Sequence, residues 1–219
     1  MTATLPSELR DVFARSASAE LVTRDDTGHP FARSVAPTYR EGGPCIDIPG
    51  AEPVADPRVA LLFCGGGPMV LVQGTAQAQE VLHVRPERVY AWSSDAPEVE
   101  PRLFDAHLEE VRSGHNEEPE TGHAAPDGGG AVWDARLDGL ASALLACVGP
   151  DGFPFAARLA VAPDAGGRVL RLGHVPVGMP VEPGPACLHQ LDEPSGASVL
   201  GDLVADGDAW ALVPHRVLG

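Results

Sequence analysis

Along most of the chain, apolar and polar positions alternate with a period of two in short runs cut by glycine and proline, the pattern of half-buried β-strands. "AELVTRDD" reads as a strand, "DDTGHP" as a turn and "PFARSVAPTY" as the returning strand. "PCIDIP" predicts a third strand, the apolar run "PRVALLF" a fourth, and "MVLVQGTAQAQEV" a long strand that bends or bulges at Gly74. Later the same order returns as "ALLACV", "FPFAARLAV", "RVLRLG", "ACLHQL", "VLGDLVAD" and "AWALVPH". Helical spacing appears twice. "LPSELRDVFARSAS" predicts a short amphipathic helix capped by Ser7, with Leu9, Val12 and Phe13 on one face. "EPRLFDAHLEEVRSG", residues 100–114, predicts about three more turns stopped by Gly114.

The two strand series are copies of one another. "GHPFARSVAP" at 28–37 matches "GFPFAARLAV" at 152–161, an offset of 124. "DPRVALL" from Asp56 matches "EPGPACL" from Glu182, an offset of 126, and "VLVQG" ending at Gly74 matches "SVLG" ending at Gly201, an offset of 127. A slowly rising offset is what loop insertions leave in a duplicated unit. The expected organisation is a first half over 1–82, a linker over 83–135 and a second half over 136–219. Six short strands per half with glycine turns predict small, closed or nearly closed barrels, because closure hides sheet edges. The fold class is therefore mainly β with a few helices.

Composition narrows the function. Of 219 residues, 44% are hydrophobic and 21% charged, an ordinary globular balance, and 25 Gly with 22 Pro suit a turn-rich protein. All 15 basic residues are arginine, which excludes a Schiff-base lysine and a Walker lysine. A net charge of −16 opposes nucleic acid and anionic membranes. No apolar run reaches the ~18 residues of a membrane span, and the N-terminus lacks the pattern of a signal peptide, so a cytoplasmic location is expected. Residues 95–127 hold ten acidic side chains against two arginines, half of the net charge. Arg40 and Arg58 are expected to pair with this acidic linker. Cys45, Cys64, Cys147 and Cys187 form no CxxC pair and read as buried reduced thiols.

Histidines carry the remaining candidate chemistry. His107, Glu110, His115, Glu117 and His123 are the densest set of potential metal ligands, with His107 and Glu110 three apart on the predicted helix. A solvated acidic linker explains the same residues. In the second half His174, His189 and His215 could face a cleft, where heme ligation or proton transfer competes with ordinary hydrogen bonding.

The order helix, "LVTRDDTGHPFARSVAP", "ADPRVALLF", "VLVQGTAQ" resembles the pyridoxamine 5'-phosphate oxidase-like split-barrel family, over about residues 5–82 and more faintly over 140–217. The resemblance implies two fused split β-barrels forming an intrachain pseudo-dimer, since such proteins usually pair two chains. It implies flavin mononucleotide (FMN), or alternatively a deazaflavin or heme, in the cleft between barrels, and oxidoreductase chemistry on a small-molecule substrate. Arg33, directly after "PFA", matches the position where an arginine pairs with the cofactor phosphate, and Ser34 would add a hydroxyl. Gln73, Arg158, His189 and Trp210 complete the implied cofactor set, Trp210 by stacking or simply by packing, as for Trp92. The sequence departs from the family where a further basic residue is expected before "DPRV", because Glu52 lies there. In the second half Ala157 aligns with Arg33, and strand alternation turns Arg158 to the other face. Two unlike clefts are therefore expected, in a monomer or weak homodimer. A cofactor-free binding or accessory protein, and a metal- or heme-using enzyme, are the alternatives.

Overall fold

The computed structural model describes residues 7–39, 45–64, 68–93, 102–105, 133–164, 169–176, 181–190, 197–207 and 209–218. The first half opens with helix α1 (Ser7–Arg15) and continues as β1 (Ala19–Arg24), β2 (Pro30–Val35), β3 (Thr38–Tyr39), β4 (Ile46–Pro49), β5 (Arg58–Phe63), β6 (Met69–Ala78), β7 (Val81–Trp92) and β8 (Arg102–Asp105). A 3-10 turn (Ala135–Gly139) leads into β9 (Ser142–Val148), β10 (Pro154–Pro163), β11 (Leu170–Leu172), β12 (Gly184–His189), β13 (Ser198–Asp206) and β14 (Ala209–Leu218). The first sheet runs β2-β1-β5-β6-β7-β4-β3, with β8 added on β7; the second is a closed barrel β10-β11-β14-β13-β12-β9. The protein is thus mainly β and consists of two barrel halves with one strand order.

Register establishes the duplication residue by residue. Leu21 lies opposite Arg33 and Leu145 opposite Ala157, each 124 positions on. Leu21 also lies opposite Leu61, whereas Leu145 lies opposite Leu188. The "DPRVALL" and "EPGPACL" strands are therefore related by 127 rather than 126. That one-residue slip exchanges faces, and it makes His189 the counterpart of Leu62. Both hairpin turns are the same. Gly28 N–H donates to Asp25 O and Asp25 N–H to His29 O; Gly152 N–H donates to Gly149 O and Gly149 N–H to Phe153 O. Gly28 and Gly152 have φ of 86° and 79°, which side-chain-bearing residues rarely adopt.

The halves differ where each barrel closes. β10 is long enough to pair with β9 at one end and with β11 at the other. Its counterpart is split into β2 and β3 around Ala36 and Pro37. In the second half Val161 N–H donates to Ala141 O. Pro37, the residue equivalent to Val161, has no N–H to give on the β1 side, and Pro49, equivalent to the Gly173 whose N–H closes the second barrel onto Ala160 O, has none to give on the β4 side, so the first barrel is left open along β2. Two expectations fail nearby. The first half continues past residue 82, since β7 reaches Trp92. The start of the expected 100–114 helix is strand β8 instead, where edge pairing with β7 prevails over helical spacing; its remainder lies outside the described residues.

"PRVALLF" is apolar throughout because both of its faces are covered. Val59, Leu61 and Phe63 belong to the core of the first barrel, with Leu21, Ile48, Val70 and Val72. Ala60 and Leu62 turn the other way with Val22, Ala32 and Leu71, into a cluster shared with Leu144, Leu145, Phe155 and Leu188 of the second half. Strand β2 packs on β9 and β12, while β10 packs on β1 and β5, an exchange of equivalent elements about a pseudo-twofold axis.

Each half carries a bulge at the same place, between Gln73 and Gly74 and between Leu200 and Gly201. A Cβ on Gly74 would lie 2.1 Å from Arg85 O, and one on Gly201 2.2 Å from Val213 O. Gly74→Ala and Gly201→Ala are each expected to destabilise the protein by about 1–3 kcal/mol, because the facing atoms are backbone. Urea unfolding of both variants checks this; an unchanged midpoint for either would show that the bulge accepts a side chain.

Candidate functional site

Residues directly opposite one another in an antiparallel sheet project to the same face. One such row crosses the first half as Ser34, Glu20, Leu62, Leu71 and Tyr90. The equivalent row of the second half is Arg158, Leu144, His189, Ser198 and Leu218. Both lie on the faces that the halves turn toward each other, and the charge of Glu20 acts on His189 across the seam. The pair related to Glu20 and His189 by the pseudo-twofold is Leu144 and Leu62, both fully buried in the shared core. One of these two equivalent positions in the seam is polar and the other apolar.

The polar cleft is tightly bonded within itself. Ser34 Oγ donates to Glu20 Oε1 at 2.6 Å, and Ser198 Oγ lies 2.8 Å from His189 Nδ1. Glu20 is only 8% exposed, and its Oε2 is buried without a hydrogen-bond partner. Burial lowers the His189 pKa from its ordinary 6.5, with the Glu20 charge pulling the other way. Cys187 lies behind them, its thiol pushed up to about 11 by burial against the opposing pull of the Ala32 amide and the Ser198 hydroxyl. Cys147 is likewise raised to about 12. These two cysteines are buried and free as expected, whereas Cys45 is half-buried and Cys64 exposed.

Arg33 stands on the opposite face of β2 from Ser34, along the open edge of the first barrel. Its Nη2 donates to Glu52 O at 3.3 Å, and its Nη1 lies 3.7 Å from Glu52 Oε2, a carboxylate 86% exposed. Its Nε is buried and unpartnered. Continuing the β3–β4 register beyond Thr38 and Asp47 brings Arg33 opposite Glu52, so the arginine laces the open edge between β2 and the segment that follows β4. The neighbouring positions Arg33 and Ser34 therefore do not converge on one point.

Other expected site residues have different surroundings. Gln73 is fully buried and its Nε2 donates to Pro154 O at 2.8 Å, pinning one half to the other. Trp210 occupies the position equivalent to Leu82, an inward core residue, and packs on the shared cluster. It lies opposite Ala205 on β13, seven residues from Ser198 and hence about 23 Å along the strand from the polar cleft. Arg158 takes the place of Ser34 and is exposed at the other cleft. His215 pairs with Asp202 at 3.2 Å. His107, Glu110 and His115 lie outside the described residues; among the described residues no three metal-ligating side chains gather.

Sequence reading passed over Glu20, and also Arg88 with Asp151. "PERV" at 86–89 and "PHRV" at 214–217 are a fourth repeated word, with Gly74 opposite Pro86 and Gly201 opposite Pro214. Arg88 pairs with Asp151 in the β9–β10 turn and lies 4.6 Å from the centre of the Phe153 ring. Arg58 packs against Gly152 in that turn and pairs with Asp56 at 2.9 Å, rather than with the acidic linker. Burial would raise the Asp56 carboxyl, but hydrogen bonds from Arg58 and the charges of Arg58 and Arg24 outweigh it and hold it low.

No protein-family model matches the chain, and a search of curated proteins finds none similar to it.

An unfolded histidine titrates near 6.5, and burial in the folded protein places His189 lower. Between those two values the unfolded chain binds more protons, so this residue's contribution to stability is lost as the pH falls through the window. Urea unfolding between about pH 7.5 and 5.5 should show a smaller loss of stability in His189→Leu than in the wild type. Parallel profiles would mean that His189 is not the titrating group.

Proposed function

We propose that this chain is a flavin- or deazaflavin-dependent oxidoreductase-like protein that acts on a small molecule and holds the cofactor's phosphate at Arg33. The observation that supports this is the poorly satisfied guanidinium of Arg33. Its Nε–H is buried without an acceptor, and its other donors meet only one long bond and a solvent-facing carboxylate of Glu52. A phosphate oxygen would satisfy that fork of donors better than Glu52 does. Arg33 thus fits the group, whereas Ser34 does not, because its hydroxyl is given to Glu20 on the other face.

When bound, such a cofactor supplies hydride transfer. Of the chain's own residues, Arg33 would anchor the phosphate, and Glu52 would give up its place beside it. A second reading, a cofactor-free binding or accessory protein, is favoured by the same Glu52 carboxylate beside Arg33 and by Gln73 being consumed in joining the halves. A heme- or metal-using enzyme is the third, and its spectrum would differ from both.

Absorption of the purified protein and fluorescence titration with FMN and a deazaflavin decide among them. The wild type is expected to bind. Arg33→Ala should weaken binding by about 1.5–3 kcal/mol, roughly ten- to a hundredfold, while Arg158→Ala changes it little. Glu52→Gln should strengthen it, since it removes a competing charge. Absence of binding in both the wild type and Glu52→Gln would overturn the flavin reading in favour of the accessory protein.

A further inference from the structure

The second half provides an internal control for the polar cleft. At the positions equivalent to Glu20, His189 and Ser198 it, or its partner row, carries Leu144, Leu62 and Leu71, all fully buried. The fold is therefore satisfied by leucine at each of these positions, and burying a carboxylate there is a cost that packing does not require. Proteins keep such costs at sites of function. The arrangement is also incomplete. Ser34 fills Glu20 Oε1, but Oε2 is buried with nothing to accept from. Among the described residues no arginine forms an ion pair with Glu20. Across the seam the Glu20 charge acts on His189, which burial biases toward the neutral imidazole, while Glu20 and Arg158 act with opposite sign on Cys64. With Nδ1 at the Ser198 hydroxyl, that ring brings hydrogen-bonding capacity but no full compensating charge. Ser34, which is bonded to Glu20, is exposed, so the cluster lies at the solvent edge of the seam.

We propose that the Glu20–Ser34–His189–Ser198 cleft is a binding site for the cationic nitrogen of an amine-type small molecule, which donates to Glu20 Oε2. A primary ammonium has three donors on a compact charge. One would meet Glu20, and Ser34 Oγ stands beside it as an acceptor. The protein's charge of −16 draws cations toward the surface in general, and the buried carboxylate selects among them by hydrogen-bond geometry. The pseudo-equivalent position in the seam lacks this capacity, since it offers leucines in place of Glu20 and His189. The inference stands apart from the phosphate role of Arg33, which lies on the other face of β2.

The test uses the full chain and n-butylammonium chloride as the probe, with n-butanol as its uncharged match, following amide NMR shifts at residues 20, 34 and 189. Saturable shifts are expected with the ammonium and not with the alcohol, and they should weaken as salt is raised. Glu20→Gln should reduce the affinity about tenfold or more, through loss of the charge-assisted bond. Glu20→Leu, which installs the residue of the other half, should abolish binding while leaving the melting temperature unchanged or higher. Glu80→Gln, at an exposed carboxylate elsewhere, should bind as the wild type does. Equal response to alcohol and ammonium, undiminished binding by Glu20→Gln, or no saturable shift in the wild type would each overturn the proposal. So would a Glu20→Leu variant that folds less stably than the wild type, because the carboxylate would then be a structural element.

Discussion

Burial of the faces that β1, β2 and β5 turn away from their own barrel core governs the architecture. A small barrel ordinarily shows its outer face to water and alternates accordingly. Here Val22, Ala32, Ala60 and Leu62 on that outer face are fully buried against the second half. Each large apolar side chain so covered contributes on the order of 1.5–3 kcal/mol relative to exposure, so the seam is a main source of the cohesion between the halves. The Gln73 bond to Pro154 and the grip of Arg58 and Arg88 on the β9–β10 turn depend on that seam already being closed. They orient the halves more than they hold them, because ion pairs at partly exposed positions contribute little.

Unequal closure has the opposite character. Two imino acids, Pro37 and Pro49, withhold backbone donors where the first barrel would otherwise close, and an arginine side chain spans the open edge. Arg33 reaches the Glu52 carbonyl beyond the point at which the β10–β11 ladder of the second barrel ends, at Val161 and Leu172. A backbone ladder is fixed once folded, whereas a side-chain lacing can be released by a competing acceptor. The open edge of the first barrel is accordingly the more adaptable wall of the molecule.

Strand content, the hairpin repeat and the bulge at Gly74 were legible in the sequence because each rests on local chemistry: alternation, a glycine in a turn, a glycine beneath a carbonyl. The likeness of the two halves was legible because three words repeat in order, although the middle one was read a residue out of step, since "VALL" and "PACL" align equally well by letter. Only pairing with β1 and β9 fixes that register. Glu20 carries no local mark of its burial. "AELV" is an unremarkable strand start, and its acidic residue looks like the solvent side of an alternation. Its environment is set by β12, far along the chain, so no nearby pattern could disclose it. Strand β8 was misjudged for a related reason, as the free edge of β7 supplied a partner that helical spacing could not anticipate.

Joining both halves in one chain changes what mutation can do at the seam. In a dimer of identical subunits every substitution appears twice, so a buried acid at the Glu20 position would recur at the Leu144 position of the second site, and its cost would be doubled. A covalent tandem removes that constraint. Glu20 arises in one half and leucine persists at the corresponding position of the other, so one cleft can be refined for chemistry while its twin is left to cohesion. The duplication thus divides labour within a single gene product, and the retained leucines record what the seam looks like when it has only to stick.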